Sequence, residues 1–564
     1  MGPYYISTPI YYVNAEPTIG HCYTTIVADV AARFQRLIRG SSGPGTKDNP
    51  GVFFLTGTDE HADKVVSAAA EAGVSPLEHA DRLADAFRDA FAKMGCSHHD
   101  FIRTTEPRHT ALVPGYIRTM RDAGDVYLGD YEGWYDPGQE QYVTETEAKD
   151  SDFKSPITGR PLVKRTEKNY FFRLSKYADW LGEHIESHPR FILPEARRNE
   201  VLGRIRSGLQ DVPISRAVQP GDADWGILMP DDPDHRIYVW IDALFNYLTA
   251  VDTPERRFLW PPSVHLVGKD ILWFHAVIWP CMLRALGREQ PGTIYAHSWW
   301  ISEGQKMSKS LGNFIDLDRL LAYADRYSLD ALRYFLLTQG PLGATDADFS
   351  YARFVETYNA DLANGIGNSV SRVGNMIVKY LGGQVGEPSK EWNATFLVGQ
   401  QPWTGSAPWV TGDWQSSTFQ CVHSARRKCD DFRLCDALEF GIELVQQVDG
   451  YINATRPFQL AKESPRERFE AVTDLKNRDA LATILWQCAE ALRIASLLLW
   501  PAMPDKMAQI WRNWNCSPLN DDGSFKAPLS ELAQWAGPHS LKPGTKIIKG
   551  DPLFMRADPK QPAP

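Results

Sequence analysis

The sequence lacks the features that mark disulfide-rich, zinc-binding and membrane-spanning proteins. Its eight cysteines are scattered over 564 residues and form no CxxC pair, which argues for reduced thiols rather than a disulfide framework or a zinc knuckle. No apolar run reaches the roughly 18 to 20 residues of a membrane span, and no basic and apolar leader precedes the first strand-like segment. We therefore expect a soluble, cytoplasmic protein without a membrane partner.

The sequence also lacks an excess of positive charge. Lysine and arginine total 60 against 70 aspartates and glutamates, so the net charge is −10, and any nucleic-acid surface must be local. Hydrophobic residues make up 43% and charged residues 23% of the chain, as in ordinary globular proteins. A chain of this length is expected to form about three or four domains.

Strand-like and helix-like segments alternate in the first sixty residues and indicate a β-α-β unit. Residues 4–9 are typical of a short strand, and the apolar residues of 23–38 recur every three or four positions, which predicts a helix that ends at Gly40. Residues 52–57 form a continuous apolar run, as in a strand covered on both faces. Strand-like segments return at 237–242 and 264–270, each followed by a helix-like segment, so we expect one parallel sheet interrupted by an insertion.

A short motif, ProThrIleGlyHis at 17–21, lies where the first predicted strand leads into the first predicted helix. The first turn of a helix presents unpaired N–H groups and partial positive charge, which favour phosphate binding. Gly20 lets a ligand approach the backbone, and His21 can hydrogen-bond developing charge on a phosphoryl group. So short a pattern also occurs at ordinary helix starts.

A second motif, KMSKS at 306–310, places two lysines three positions apart on a loop rich in Gly and Ser. On such a loop, Lys306 and Lys309 can close over a polyphosphate, neutralise charge in the transition state and open again. The alternative is a solvated charged loop. We favour the first interpretation, because this five-residue string follows a split nucleotide-binding pattern that begins with TIGH.

These two motifs resemble the signatures of class I aminoacyl-tRNA synthetases, and the chain as a whole resembles the methionyl-tRNA synthetase family. Residues 18–21 match the family's HIGH signature, and 306–310 match its second signature. Further matching strings are SerThrProIleTyrTyrValAsn at 7–14, ThrGlyThrAspGluHis at 56–61, TyrValTrpIleAspAla at 238–243, GlyLysAspIleLeuTrpPheHis at 268–275 and AsnAlaAspLeuAlaAsn at 359–364, and the likeness continues to PheMetArg at 554–556. The resemblance therefore covers nearly the whole chain.

The resemblance implies an α/β fold in which a Rossmann-type parallel sheet is split by an inserted connective-peptide domain and followed by an all-α anticodon-binding helix bundle. The expected boundaries are 1–115 and 229–297 for the two halves of the catalytic domain, 116–228 for the insertion with a metal-free knuckle, 298–350 for the KMSKS loop and stem-contact region, 351–540 for the bundle and 541–564 for the tail.

Carried over position by position, the resemblance implies a methionine pocket. Its residues are Ile10, Tyr12, Asp59, Trp240, Ala243, Leu244, Tyr247, Ile271 and His275. Aromatic walls such as Trp240 and Tyr247 suit a thioether, since sulfur–aromatic contacts contribute about 0.3 to 1.5 kcal/mol. The carboxylate of Asp59, at the end of a strand, can hold the substrate ammonium. Core packing for Trp240 and Ile271, and helix capping for Asp59, are the alternatives.

The resemblance further implies ATP with Mg²⁺ as the second substrate and cofactor. The catalytic residues are then Thr18, His21, Lys306 and Lys309, and the ATP-binding residues are Gly20, His21, Lys269, Lys306, Met307, Ser308, Lys309 and Ser310.

The expected macromolecular partner is tRNA(Met), including initiator tRNA. Asn368 and Arg372 match the family's anticodon-reading positions and are one helical turn apart. Phe458 stands where the family normally has a stacking Trp, which leaves stacking possible with a smaller ring. The chain carries no appended oligonucleotide-binding dimerisation domain after the bundle, so we expect a monomer.

The chain departs from the family at the zinc knuckle of the inserted domain. Many relatives have cysteine or histidine there, whereas this chain has Asp136, Gln139, Ser155 and Thr158. A structural zinc site needs about four Cys or His ligands, so we predict no structural zinc. Thr18 also replaces the first His of HIGH and keeps only a hydrogen-bonding role.

Three alternative functions are weighed against this assignment. Isoleucyl-, leucyl- and valyl-tRNA synthetases need a large editing domain, because one methylene gives only about 1 to 3 kcal/mol of discrimination, and the insertion here is too short for one. A cysteinyl enzyme would carry a zinc-binding thiol cluster. A non-catalytic tRNA-binding paralogue would have no need of Lys306, Lys309, His21 and Asp59 together.

Overall fold

The structure is a computed structural model that describes residues 2–137, 141–143, 145–155, 158–219, 221, 223–302, 304–307, 313–389, 413–463 and 472–564. The chain divides into two compact units. Unit 1 comprises Met1–Ala28, Thr46–Trp299 and Pro341–Asp346, and unit 2 comprises Asp29–Gly45, Trp300–Gly340 and Ala347–Pro564.

The strands of the described residues are β1 Tyr4–Tyr12, β2 Val52–Asp59, β3 Asp100–Arg103, β4 Val126–Asp136, β5 Gln141–Val143, β6 Val163–Phe172, β7 Ile192–Leu193, β8 Val212–Pro213, β9 Ser215–Ala217, β10 Leu228–Met229, β11 Asp232–Ile237, β12 Val264–Gly268, β13 Thr293–His297, β14 Trp300–Ser302, β15 Gln305–Lys306 and β16 Ala347–Asp348.

The α-helices of the same residues are α1 Ile19–Arg39, α2 Asp63–Ala72, α3 Pro76–Lys93, α4 Pro107–Thr110, α5 Val113–Asp122, α6 Glu145–Asp150, α7 Ala178–Ser187, α8 Glu195–Arg206, α9 Val239–Leu244, α10 Asn246–Thr249, α11 Trp279–Ala285, α12 Leu317–Tyr327, α13 Leu329–Gln339, α14 Tyr351–Thr357, α15 Gly367–Leu381, α16 Trp414–Asp430, α17 Leu434–Thr455, α18 Pro457–Glu463, α19 Val472–Leu499, α20 Pro504–Asn513 and α21 Leu529–Leu532. Phe274–Ile278 and Tyr358–Ile366 are π-helical.

Unit 1 is built on a parallel sheet with the strand order β3-β2-β1-β12-β13-β7. Every residue of β2 is buried, as expected for a strand covered on both faces. A four-stranded sheet, β5-β4-β6-β8, comes from the region predicted as an insertion, 116–228. A three-stranded sheet, β10-β11-β9, combines β9 of that region with β10 at its end and β11 beyond it. The fold class predicted from the sequence, an α/β catalytic domain followed by helices, is confirmed.

Two details differ from the sequence predictions. Residues 237–242 do not form a strand, because β11 ends at Ile237 and helix α9 begins at Val239; apolar runs this short do not distinguish a strand from a buried helix. In addition, β7 lies inside the predicted insertion but pairs with β13 of the main sheet. The predicted domain boundaries remain predictions.

Unit 2 is mainly helical. Its long helix α19 packs against α17, α15, α18 and α20, as in a helix bundle. A stretch of α19, Arg478–Leu499, is long and apolar enough to cross a membrane by length and composition, although the sequence analysis expected no such stretch. Its apolar window is 94% buried, so this helix supplies the core of unit 2.

Candidate active site in unit 1

A pocket of about 400 Å³ in unit 1 is lined by residues from the carboxyl ends of β1, β2, β12 and β13 and from the first turns of α1. Ligands of parallel α/β sheets bind outside the carboxyl ends of the strands. The pocket therefore lies where the fold places a substrate site.

Most of the predicted substrate-binding residues of unit 1 meet in this pocket. They are Ile10, Tyr12, Thr18, Gly20, His21, Asp59, Trp240, Ala243, Leu244, Tyr247, Ile271 and His275. Lys269 does not line the pocket. Its Nζ is 2.6 Å from Asp346 and 4.3 Å from the centre of the Trp299 ring, so its predicted role with ATP remains a prediction.

A β-bulge brings the end of β1 into the pocket wall. Ser7 pairs with Leu55 and Ile10 pairs with Gly57, so β1 has one residue more than β2 between these pairs. A bulge bends the strand and redirects the side chains that follow. Two of these, Ile10 and Tyr12, line the pocket.

Asp59 is the last residue of strand β2, and it pairs with Tyr12 of β1. The residue is only 3% exposed, yet it lines the pocket. A carboxylate in such a place is suited to a charge-assisted hydrogen bond with an ammonium group.

Aromatic rings form the wall around the expected thioether. The Trp240 ring is stacked on Phe274 with centroids 4.4 Å apart, and it meets Tyr12 edge-on at 5.6 Å. Sulfur makes favourable contacts with aromatic rings. This wall is therefore chemically matched to an unbranched thioether side chain.

Tyr247 and His275 form a buried hydrogen-bonded pair at the pocket wall. Nδ1 of His275 lies 2.9 Å from the carbonyl oxygen of Ile271 and donates to it, so Nε2 accepts from the Tyr247 hydroxyl at 2.7 Å. Burial lowers the pKa of His275 to about 4, which keeps the ring neutral at neutral pH. The hydroxyl hydrogen of Tyr247 is thus committed to His275.

His21 lies in the first turn of α1 between the rings of Tyr11 and Phe87, with centroids 4.9 and 5.2 Å away. Burial lowers the pKa of His21 to about 4. Gly20 next to it is exposed, and a Cβ at Gly20 would meet only the Thr18 hydroxyl, at 3.7 Å. The first turn therefore combines an open backbone with a neutral imidazole.

Several lining residues were not predicted from the sequence. They are Pro9, Tyr11, Asn14, Thr24, Lys64, Asn246, Gly268, Asp270, Phe274, His297 and Trp299. Helical spacing would have found Thr24, four positions after Gly20, and strand-end position would have found His297, the last residue of β13. Among the lining residues that the structure describes, Lys64 is the side chain with a permanent positive charge.

The KMSKS motif belongs to unit 2 and is described only in part. The backbone of Lys306 pairs with Ile301 in the small sheet β15-β14-β16, and Met307 is half-buried. The residues predicted to follow in the ATP site, Ser308, Lys309 and Ser310, lie outside the described residues.

The predicted anticodon-binding residues all belong to unit 2. Asn368 is exposed on α15, and Arg372 follows one turn later. The Arg372 guanidinium donates to Oδ1 of Asn453 at 3.0 Å and lies 3.8 Å from Asp449. Phe458 is half-buried on the short helix α18.

Two knuckle positions of the inserted region, Ser155 and Thr158, are joined by a hydrogen bond. The Ser155 backbone N–H donates to the Arg160 carbonyl at 2.8 Å, and the Thr158 N–H donates to Oγ of Ser155 at 3.1 Å. Asp136 is fully buried, and Gln139 lies outside the described residues. The described part of the chain contains no group of three or more His, Cys, Asp or Glu side chains placed to hold a metal ion.

Comparisons with known proteins point to one family. The family model "tRNA synthetases class I (M)" matches residues 4–151 and 146–374. The methionine–tRNA ligase of Thermotoga maritima is 38% identical, over 99% of this chain and 81% of its own length. The Bacillus subtilis enzyme of the same name is 36% identical, over 99% of this chain and 78% of its own. Mycobacterium tuberculosis methionyl-tRNA synthetase in complex with methionyl-adenylate is similar in structure, with a TM-score of 0.83, 35% identity, and coverage of 98% of this chain and all of that one.

Proposed function

The chain belongs to the methionyl-tRNA synthetase family of class I tRNA synthetases, and we propose how its own residues divide the reaction between them. It is a methionine–tRNA ligase, which activates L-methionine with ATP and transfers the methionyl group to the 3′ end of tRNA(Met). The observation that carries the residue assignments is the convergence of twelve predicted residues on one pocket of unit 1.

In the activation step, a carboxylate oxygen of methionine bonds to the α-phosphorus of ATP, the bond from that phosphorus to the bridging oxygen breaks, and pyrophosphate leaves. Asp59 holds the methionine ammonium by a charge-assisted hydrogen bond. Trp240, Tyr12 and Phe274 enclose the thioether. Fixing both ends of the amino acid places its carboxylate for attack, which is catalysis by positioning.

Residues of the two signature motifs stabilise the negative charge on the phosphates. Nε2–H of His21 and the Thr18 hydroxyl donate hydrogen bonds, and Lys306 and Lys309 neutralise charge on the leaving pyrophosphate. Mg²⁺ bound to ATP would supply further positive charge at the phosphates. In the transfer step, a terminal ribose hydroxyl of the tRNA attacks the methionyl carbonyl, and AMP leaves.

Recognition of tRNA is assigned to unit 2. Asn368 and Arg372 read anticodon bases by hydrogen bonds, and Phe458 stacks on a base. We extend this to both initiator and elongator tRNA(Met), and we propose a monomer that acts in the cytoplasm. Sedimentation of the purified protein with and without each tRNA tests the monomer and both complexes together.

Exchange of labelled pyrophosphate into ATP tests the proposal directly. The purified protein is assayed in EDTA-washed, zinc-free buffer with added Mg²⁺ and with methionine, leucine, isoleucine, valine or cysteine in turn. We expect exchange with methionine alone, which would support the pocket assignment and the absence of a zinc requirement together. Exchange with none of them would favour the non-catalytic tRNA-binding paralogue.

A further inference from the structure

A buried carboxylate beneath the pocket connects two of its walls. Oδ2 of Asp242 lies 2.6 Å from Nδ1 of His61, and Oδ1 lies 2.8 Å from Nε2 of His109. Asp242 is 1% exposed and His109 is fully buried, while the side chain of His61 is 7% exposed. None of the three lines the pocket, so their role is not direct contact with a substrate.

The charge state of Asp242 determines how these groups bond. Burial raises the pKa of Asp242, but the imidazoles of His61 and His109 outweigh this effect and bring it down to about 2. A carboxylate only accepts hydrogen bonds, so Nδ1 of His61 and Nε2 of His109 both carry hydrogen. The other nitrogen of His109 lies 2.9 Å from the Thr249 hydroxyl, which anchors this end of the cluster to α10.

The bond between His61 and Asp242 joins two elements that hold opposite ends of methionine. His61 follows Asp59, the proposed ammonium ligand, by two residues. Asp242 belongs to the short helix α9, which also carries Trp240, Ala243 and Leu244 of the side-chain wall. A hydrogen bond at 2.6 Å between these elements fixes the separation of the ammonium site and the wall.

We propose that Asp242 is a positioning residue for methionine, which acts by holding the Asp59 turn, through His61, at a fixed distance from helix α9. This inference rests on the proposed function of the pocket. The ATP-binding residues Gly20 and His21 lie on α1, to which this cluster makes no hydrogen bond among the described residues. Loss of Asp242 should therefore affect methionine binding selectively.

The test compares the KM values for methionine and ATP in pyrophosphate exchange for Asp242→Asn, Asp242→Ala and the wild type. A shift of about 1 Å in a binding group can cost up to about a hundredfold, so we expect the methionine KM to rise at least about tenfold in Asp242→Ala, with the ATP KM changed less than about threefold. Asp242→Asn should show a smaller effect, because its amide oxygen can keep one of the two bonds.

Two single-bond variants keep the test decisive if Asp242→Ala does not fold. His61→Ala cuts the bond to the turn that carries Asp59, whereas His109→Ala cuts the bond to α4, which carries no pocket residue. We expect His61→Ala to raise the methionine KM more than His109→Ala does. An equal effect of the two, or a normal methionine KM in Asp242→Asn and His61→Ala, would overturn the positioning role.

A matched control separates positioning from general stability. Glu490 is another fully buried carboxylate, paired with Arg493 at 2.6 Å in unit 2. Glu490→Gln should lower the melting temperature without changing the methionine KM. Wild-type exchange with methionine tests the proposed function by itself, so failure of that function and failure of the positioning role give different results.

Discussion

The backbone N–H of Thr18 donates a hydrogen bond to Nδ1 of His21 over 3.1 Å. A neutral imidazole has one nitrogen that accepts and one that donates, so this contact leaves the hydrogen of His21 on Nε2. His21 is therefore held as a neutral hydrogen-bond donor. It can stabilise charge on a phosphate without carrying a charge of its own.

The first prediction concerns the pH dependence that follows from this state. Because burial lowers the pKa of His21 to about 4, the ring stays neutral above that pH and protonates only as the pH falls through it. We expect His21→Asn to reduce kcat of pyrophosphate exchange by about a hundredfold, with a ratio to wild type that is constant between about pH 6 and pH 8. A ratio that changes near pH 6.5, the ordinary pKa of histidine, would contradict the neutral donor.

The second prediction concerns the second signature. Lys309→Ala should slow adenylate formation strongly and change methionine affinity little, because we propose that its charge acts on phosphates in the transition state. Single-turnover adenylate formation and equilibrium methionine binding measure the two effects separately. Lys149→Ala, which changes a 62% exposed lysine, is the control and should behave like wild type. Equal losses in the rate of adenylate formation and in methionine affinity would contradict a role of Lys309 in the transition state.

The third prediction concerns the methionine wall. Tyr247→Phe deletes the hydroxyl that donates to Nε2 of His275 at 2.7 Å and leaves a buried acceptor without its donor. Such a loss costs about 1 to 3 kcal/mol. We expect the methionine KM to rise and thermal stability to fall, while the ATP KM stays near wild type. A normal methionine KM with reduced stability would show that the pair only supports the fold.

The fourth prediction concerns stability in unit 2. Burial raises the pKa of Asp330 to about 7, and its carboxylate accepts a hydrogen bond from the Lys506 backbone N–H at 2.6 Å. The folded state therefore binds a proton more tightly than the unfolded state, so this contribution to stability is complete below about pH 4 and is lost as the pH rises through about 7. Asp330→Asn should flatten this part of the pH dependence and raise the melting temperature at about pH 8. If the melting temperatures of variant and wild type changed in parallel from about pH 5 to pH 8, Asp330 would not be the source of this pH dependence.

The fifth prediction separates tRNA recognition from amino-acid activation. Arg372→Gln should raise the KM for tRNA(Met) in aminoacylation about tenfold, since loss of an arginine hydrogen bond to a base costs about 1 to 3 kcal/mol, and should leave pyrophosphate exchange unchanged. Arg433→Gln, an exposed arginine of the same unit that pairs with Asp436, is the control. Phe458→Trp should lower the tRNA KM, because a larger ring improves stacking. A change in pyrophosphate exchange in Arg372→Gln would place its effect outside tRNA recognition.

The sequence by itself determined the fold class, the family and about half of the residues that line the pocket. Motif strings are local, so TIGH, KMSKS and the strand that ends at Asp59 can be recognised without a structure. Periodicity also located α1, predicted to end at Gly40 and observed at Ile19–Arg39, where Gly40 takes a φ of +66°. That conformation favours glycine, so the position of Gly40 in the sequence predicts where the helix ends.

The tertiary structure decided what depends on distant residues. Residues 237–242 were predicted as a strand, but the structure has a helix from Val239. A short apolar run is compatible with either a buried strand or a buried helix, so the sequence could not distinguish them. The hydrogen bonds of Asp242 to His61 and His109 join residues 181 and 133 positions apart in the chain. Sequence can name these side chains, but only folding brings a carboxylate from α9 against the turn after β2 and so fixes what each group donates or accepts.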